Sequence, residues 1–212
     1  MSRFILAAAV VGAAGSVNAA ISVYDGNDPH FTPNDCAIFD DTGLANGGVV
    51  PPPIDTHGMR FRAVNNNAPN GFWGYAFPGG DGSASLYFNG GASDVLGITR
   101  LDASDLNTIE MQVGAGFGGP NVFLWIRAFN NGNPVGSFDI DTTYGSYIGI
   151  TGGGFDEIRV GGYNDAATRD AHNELGFQAL AVDNFCYGGP IPAPGAAALL
   201  GLGALGAARR RR

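Results

Sequence analysis

The feature that most constrains the fold of this chain is its punctuation by glycine and asparagine, which recur about every ten residues. The segments between these residues are short and alternate apolar with polar side chains, as half-buried β-strands do. In residues 108–113, for example, Ile109, Met111 and Val113 fall on one face. Helix signals are scarce, and only residues 166–173 favour a short helical turn. The pattern therefore predicts an all-β protein.

The order of the segments predicts a single β-sandwich or jelly roll of about ten short strands. The sequence Asn-Asn-Gly-Asn-Pro at 130–134 is a turn signal, so segments 122–129 and 135–140 are expected to form a hairpin. The other candidate strands are residues 21–24, 37–40, 58–64, 72–77, 84–89, 95–100, 108–113, 147–151, 155–161 and 176–187.

These strands lie in a body of residues 20–189, which is long enough for one domain with a real core. The body holds all 19 acidic residues, six of the 11 arginines and no lysine, so its formal charge is −13. A surface of that sign repels nucleic acid, which is not an expected partner. It attracts divalent cations, although solubility alone is the simpler reason for such a charge.

The N-terminal residues predict export. Arg3 provides a positive start, residues 4–14 form an apolar run, and the small residues before Ala20 fit a cleavage site between Ala19 and Ala20. Residues 1–19 are therefore predicted to be a secretory signal peptide rather than a retained membrane helix, because glycines interrupt the apolar run.

The C-terminal segment, residues 190–212, predicts contact with a membrane. Residues 195–208 carry no charge, and as a helix they would span about 21 Å. A hydrocarbon core is about 30 Å thick, so the segment suits transient insertion better than a permanent span. The chain ends in a cationic cluster, which stays on the cytoplasmic side and leaves the body outside: Arg209, Arg210, Arg211 and Arg212. A packed core helix is the alternative reading.

These C-terminal features together resemble the PEP-CTERM sorting signal of exported bacterial proteins. The resemblance rests on Pro192-Ala193-Pro194, the short apolar helix and the terminal arginines, with Ala193 where the family normally has glutamate. It implies recognition by an exosortase-type membrane protease and cleavage near Pro192 to Pro194. It also implies delivery to the cell surface or the extracellular matrix.

The end of the body is similar to the closing hairpin of other exported proteins that carry this tail. In those proteins a glycine-led strand, here residues 153–160, returns to a final strand with Asp-Asn, here residues 180–185. The similarity implies a β-sandwich of carbohydrate-binding-module or lectin-like type.

The two cysteines, Cys36 and Cys186, predict a disulfide, because an even count in an exported protein favours pairing. The bridge would close a loop of about 150 residues and contribute about 4 to 5 kcal/mol in the chain-entropy model. Two free buried thiols are the alternative.

Aromatic residues are the candidate ligand-binding groups. Trp73, Tyr75 and Phe77 alternate onto one strand face, and such a row can stack on sugar rings. Trp125 is opposite an aliphatic face and is expected to be partly exposed, which makes it a second candidate. Ordinary core packing is the competing interpretation for these aromatic residues.

Two carboxylates suggest a structural calcium site. Asp25 follows the first strand and Asp183 lies in the last one, and we expect these strands to be neighbours in a sandwich. Ca²⁺ takes oxygen ligands, so Asp25 and Asp183 with nearby carbonyls would suit it. Solvated carboxylates in turns are the alternative.

The motifs of common enzymes are absent or lie in the wrong context. There is no H-E-x-x-H or G-x-S-x-G, and the G-x-G-x-x-G at 114–119 leads into a strand rather than a helix. We therefore expect a non-catalytic, exported surface or matrix protein with a structural or glycan-binding role and exopolysaccharide as a candidate partner. The alternative is a secreted polysaccharide-active enzyme with a carboxylate pair in a sandwich cleft.

Overall fold

The structure of the protein, a computed structural model, describes residues 21–29, 35–37, 39–44, 47–64, 72–76, 84–87, 95–115, 120–172 and 180–188. These residues form an eight-stranded and a six-stranded antiparallel sheet, which confirms the all-β prediction. In the described part of the chain, no helix is long and apolar enough to cross a membrane.

The strands are numbered along the chain. They are β1 (Ser22–Gly26), β2 (Asp35–Ala37), β3 (Val49–Val50), β4 (Ile54–Thr56), β5 (Met59–Ala63), β6 (Phe72–Ala76), β7 (Ala84–Tyr87), β8 (Leu96–Arg100), β9 (Leu106–Ala115), β10 (Asn121–Asn130), β11 (Asn133–Thr143), β12 (Tyr147–Phe155), β13 (Glu157–Gly162) and β14 (Leu180–Tyr187). A 3₁₀ turn spans Phe39–Thr42, and one short helix, α1, spans Ala166–Asp170.

The two sheets enclose one apolar core in a sandwich-like arrangement. Sheet A has the order β1-β12-β9-β14-β7-β6-β3, with β2 also paired to β14. Sheet B has the order β11-β10-β13-β8-β5-β4. The ring of Phe61, from sheet B, meets Phe185 of sheet A edge-on at 5.4 Å between centroids. Both rings are fully buried, so side chains from the two inner faces interdigitate as in other sandwiches.

Most sequence-predicted strands are confirmed. Ile109, Met111 and Val113 are all buried in the core, as their alternation predicts. The predicted hairpin is β10 paired with β11, from Asn121 opposite Thr143 to Asn130 opposite Asn133. Its two turn residues, Asn131 and Gly132, both have positive φ, as a type I′ turn requires. The expected helical turn is α1, whose N-terminus is capped by the Asp165 side chain.

The structure differs from the predicted strands in three respects. Strands β3 and β4 were not predicted, because two or three residues are too short to show a period. Segment 37–40 is divided between β2 and the 3₁₀ turn. The proposed closing hairpin is wrong, since β13 belongs to sheet B and β14 to sheet A. The apolar residues of these two strands face the core from opposite sides, so the strands cannot pair.

The predicted disulfide is confirmed. Cys36 lies opposite Cys186 in the register of β2 and β14, and the two sulfurs are bonded across a sequence separation of 150. The bridge therefore ties an early strand to the last one within sheet A. Disulfides persist in oxidising compartments, which is consistent with an extracellular location.

Candidate binding face of sheet A

The outer face of sheet A buries polar side chains that would ordinarily be exposed. Strand β9 turns Thr108, Glu110 and Gln112 away from the core, as the alternation predicts. Glu110 is nevertheless only 2 % exposed, and Gln112 is also buried. Burying a carboxylate is costly unless hydrogen bonds compensate for its lost hydration. The centre of this face is therefore a built polar environment rather than an ordinary solvated surface.

A second buried carboxylate lies beside the first. Asp183, on β14, is opposite Gln112 in the register and is fully buried. Its Oδ1 accepts a hydrogen bond of 2.8 Å from the backbone N–H of Asn184. The pairing of β14 with β9 shifts between Asp183 and Cys186, and Asn184 has a φ of 46°. This irregularity gives the Asp183 carboxylate a backbone donor that a regular strand would use in the ladder.

Tyr24 covers the carboxylate of Glu110 from the β1 side. The register places Tyr24 opposite Gly149 of β12, and a Cβ added to Gly149 would lie 2.1 Å from the tyrosine ring. The ring therefore lies directly over the glycine backbone. The Tyr24 hydroxyl donates to the carbonyl oxygen of Ile109 at 3.2 Å. Burial, together with the charge of Glu110 and a hydrogen bond to it, raises the pKa of Tyr24 far above its usual value.

Tyr144 lies on the other side, next to β14. It packs against Tyr87 and Ala181, both on the outer face of sheet A. Burial raises the pKa of Tyr144 to about 12, with smaller contributions from Tyr87 and the Asp183 carboxylate. The charge of Asp183 thus helps to raise the pKa of Tyr144, as the charge of Glu110 helps to raise the pKa of Tyr24.

We call these five side chains the carboxylate–tyrosine cluster: Tyr24, Glu110, Gln112, Tyr144 and Asp183. Two hydrogen bonds hold the Gln112 amide in place, since Asn184 Nδ2 donates to Gln112 Oε1 at 3.4 Å and Gln112 Nε2 donates to the Gly145 carbonyl at 3.0 Å. Chemically the cluster offers acceptors for hydroxyl groups beside aromatic rings that can stack on apolar faces.

None of the aromatic residues predicted to bind a ligand is shown as an exposed platform in the described part of the structure. Trp73 and Tyr75 lie in β6, opposite Tyr87 and Ser85 of β7, but their side chains are outside the described part of the structure, as is Phe77. Trp125 belongs to sheet B and is only 3 % exposed, so the expectation that it is partly exposed is wrong. Its ring lies over Gly161 and is covered by neighbouring side chains, so it offers no platform to a ligand.

The predicted calcium pair is not brought together. Strands β12 and β9 lie between β1 and β14, so the expectation that the first and last strands are neighbours is wrong. Asp25 instead accepts a hydrogen bond of 2.8 Å from the hydroxyl of Thr142 on sheet B. Within the described ranges, no group of three or more His, Cys, Asp or Glu side chains is placed to hold a metal ion.

The residues predicted for targeting lie outside the described residues and remain predictions. They are the cleavage-site residues Ala19 and Ala20, the motif Pro192, Ala193 and Pro194, and the arginines at 209–212. No family model matches the chain, and no curated protein matches its sequence.

Sequence reasoning missed Glu110 and Gln112 as site residues. Their alternation placed them on the polar face of β9. Knowing that β9 lies between β12 and β14 would have singled out these two residues. The order of strands in a sheet cannot be determined from a single sequence.

Proposed function

We propose that this protein is an exported cell-surface or matrix protein whose sandwich is non-catalytic and binds glycan through the outer face of sheet A. Its targeting would follow the predicted signal peptide and the PEP-CTERM-like tail, with an exosortase-type protease and the membrane as transient partners. The disulfide supports a destination outside the cytoplasm, because such bonds persist in oxidising environments.

The observation that carries the proposal is the carboxylate–tyrosine cluster. Glycan sites combine acceptors for sugar hydroxyls with aromatic faces that cover the apolar side of the ring. The cluster supplies two carboxylates, one amide and two tyrosines on a single sheet face. No arginine occurs in any described strand of sheet A, so the expected ligand is a neutral glycan.

The proposal is tested by titrating the full chain with neutral oligosaccharides of different linkage and measuring heat or intrinsic fluorescence. Asp183→Asn and Glu110→Gln preserve side-chain shape but remove one acceptor charge each. We expect each variant to weaken binding about tenfold, because a hydroxyl bonded to a charged acceptor loses its best partner.

Thr108→Val is the matched control for these variants. Thr108 lies on the same face of β9, two residues from Glu110, and its hydroxyl is 3.0 Å from that of Thr151. We expect it to leave glycan binding unchanged. Absence of binding to any neutral glycan by a folded wild-type protein would refute the proposed role of this face.

A second candidate function is hydrolysis of polysaccharide by Glu110 and Asp183. The observation that favours it is their placement on adjacent strands, because Asp183 is opposite Gln112 and Glu110 is one diagonal step away. Diagonal neighbours are about 7 to 8 Å apart, which overlaps the carboxyl spacing of inverting glycosidases, about 6.5 to 9.5 Å. Both carboxylates are almost fully buried, so either function requires the ligand to approach them between the partly exposed rings of Tyr24 and Tyr144.

The two functions are separated by measuring reducing ends released from the glycan that binds. A binding protein releases none and keeps its ligand intact over days. A hydrolase releases reducing ends, and Glu110→Gln or Asp183→Asn abolishes the release.

Intact-mass spectrometry of medium and membrane fractions from the native host tests the targeting. A species from Ala20 to about Pro194 supports both signals, and a membrane species that retains Arg212 contradicts cleavage of the tail.

A further inference from the structure

We propose that the outer face of sheet B is a second binding surface, which takes a carboxylate-bearing polysaccharide along a row of arginines. The row consists of Arg62, Arg159 and Arg127 and is called the arginine row below. The inference is independent of the glycan site on sheet A, since it uses other residues, another sheet and a ligand of opposite charge to the row.

The strand register aligns the three arginines across the sheet. Arg62 of β5 is opposite Gly97 of β8, Gly97 is opposite Arg159 of β13, and Arg159 is opposite Arg127 of β10. The row therefore crosses four strands and spans about 14 Å, at about 4.8 Å per strand. Like charges directly opposite each other on neighbouring strands are destabilising, so Arg159 and Arg127 form a costly pair.

Among the described residues, Arg62 and Arg159 do not each have a carboxylate of their own. Arg127 has Asp139 at 2.7 Å, but Arg62 and Arg159 share Glu157. Arg159 binds both carboxylate oxygens, through Nε at 2.7 Å and Nη2 at 3.3 Å. Arg62 reaches the same Oε1 through Nη2 alone, at 2.6 Å. Glu157 thus balances the charge of only one of Arg62 and Arg159, on a body whose formal charge is −13.

Two of the guanidinium groups lie over aromatic rings, and the exposure of the three differs. Arg159 lies over the ring of Phe129 at 4.3 Å, and Arg127 over that of Trp125 at 5.2 Å. The Arg62 side chain crosses β8 above Gly97, where an added Cβ would be 3.2 Å from its Cζ. The side chains of Arg62 and Arg159 are 35 % and 34 % exposed, against 14 % for Arg127. Arg62 and Arg159 are therefore the groups that meet a ligand.

The charge balance selects the ligand. A planar carboxylate matches the donor geometry of a guanidinium group, and the shared Glu157 leaves donors of Arg62 for one. DNA carries one charge per about 1.7 Å, so its other phosphates would be repelled by the acidic body. A polyuronate has one carboxylate per sugar, separated by neutral hydroxyl groups, and can place its charges on the row alone. Its chemistry fits this surface better than that of a nucleic acid.

The test uses the full chain and polygalacturonate, with dextran as the uncharged polymer, in affinity electrophoresis or calorimetry at low salt. We expect binding to polygalacturonate and not to dextran. Arg62→Gln and Arg159→Gln should each weaken binding at least fivefold. Glu157→Gln should strengthen it, because it frees donors of both arginines. Thr108→Val, in sheet A, should have no effect on this ligand.

Arg60→Gln is the matched control. Arg60 lies on the same strand and face as Arg62 but has its own carboxylate, with Nε and Nη2 at 2.8 and 2.7 Å from the oxygens of Asp55. It should bind polygalacturonate as the wild type does. Where Arg62→Gln does not fold, Arg62→Lys, which keeps the charge but loses the planar fork, replaces it and should weaken binding about twofold or more.

Four outcomes would overturn the inference. They are no binding to polygalacturonate, equal binding to dextran, equal losses for Arg60→Gln and Arg62→Gln, and equal or tighter binding of polyglutamate or single-stranded RNA. The last outcome would mean that the surface binds an acidic peptide or a nucleic acid instead of a polyuronate. A failure here leaves the neutral-glycan test of sheet A unaffected, because the two ligands and the two sets of variants differ.

Discussion

The two outer faces of the sandwich stabilise their carboxylates in different ways. All five arginines in described strands belong to sheet B, four of them paired with its carboxylates. The described strands of sheet A contain no arginine, and Glu110 and Asp183 are buried among tyrosines, amides and backbone donors. Paired charges respond to salt and acid, whereas buried carboxylates depend on the integrity of their enclosure. The comparison therefore predicts different sensitivities for the two faces.

The largest expected effect is on sheet A, where the disulfide ties β2 to β14. Replacing both Cys36 and Cys186 with serine should lower the free energy of unfolding by about 4 to 5 kcal/mol, because the unfolded chain regains the freedom of a long loop. Urea denaturation monitored by circular dichroism measures the loss. A change below about 1 kcal/mol would mean that packing within sheet A holds β14 without the bridge.

A matched pair of glycines tests packing on the two faces. Gly149 lies under Tyr24 on sheet A, and Gly161 lies under Trp125 on sheet B. An added Cβ would be 2.1 Å from the Tyr24 ring and also 2.5 Å from the backbone oxygen of Ile109, whereas at Gly161 its nearest contacts are all with the indole, from 2.4 Å. Both substitutions to alanine should destabilise the protein by about 1 to 3 kcal/mol, as overpacking does.

Gly149→Ala should be the more costly of the two, because a backbone oxygen within a sheet cannot move aside as a side chain can. Thermal unfolding of the two variants under identical conditions measures the difference. Equal melting temperatures would contradict the inference that the enclosure of sheet A is the more rigid.

The smallest expected effect is the loss, at acid pH, of the stability that Asp139 contributes to sheet B. Burial alone would raise the pKa of Asp139, but hydrogen bonds from Arg127 and Tyr163 hold it below the ordinary value of 3.8. A lowered pKa means that Asp139 contributes stability above about pH 4 and that the contribution is lost as the pH falls through the folded-state value. Asp139→Asn should therefore cost about 1 kcal/mol at pH 7 and less at pH 3.

Urea denaturation of the wild type and of Asp139→Asn at both pH values measures this contribution. Asp141→Asn is the control, because Asp141 lies on the same face of β11 and pairs with Arg169, but is half exposed. A constant difference between wild type and Asp139→Asn from pH 7 to pH 3 would show that the ionised carboxylate of Asp139 is not what stabilises this face.

The strands, the long hairpin and the disulfide were predictable because their signals are local or carried by a rare residue type. The turn at Asn131 and Gly132 and the alternation of β9 are read directly from neighbouring residues. Pairing of Cys36 with Cys186 followed from there being only two cysteines.

The candidate site was not predictable in the same way, because it depends on which strands are neighbours. Asp25 and Asp183 looked adjacent only on the assumption that the ends of the body pair, and two strands separate them. Trp125 is buried because it packs against Val95, just before β8, and Tyr163, just after β13. Glu110 and Asp183 come onto adjacent strands through the register of β9 and β14, a pairing across more than 70 positions that no local pattern specifies.

The position of β14 also governs the order in which the molecule can assemble. The last described strand of the chain lies inside sheet A, between β9 and β7, so it joins β1-β12-β9 to β7-β6-β3. Chains emerge from the ribosome N-terminus first, and β14 is therefore the last of these strands to appear. Without β14, no hydrogen-bonded strand joins β9 to β7 among the described strands of sheet A. Sheet A can therefore be completed only after β14 has been synthesised. The disulfide, which needs Cys186 of β14, can form only then.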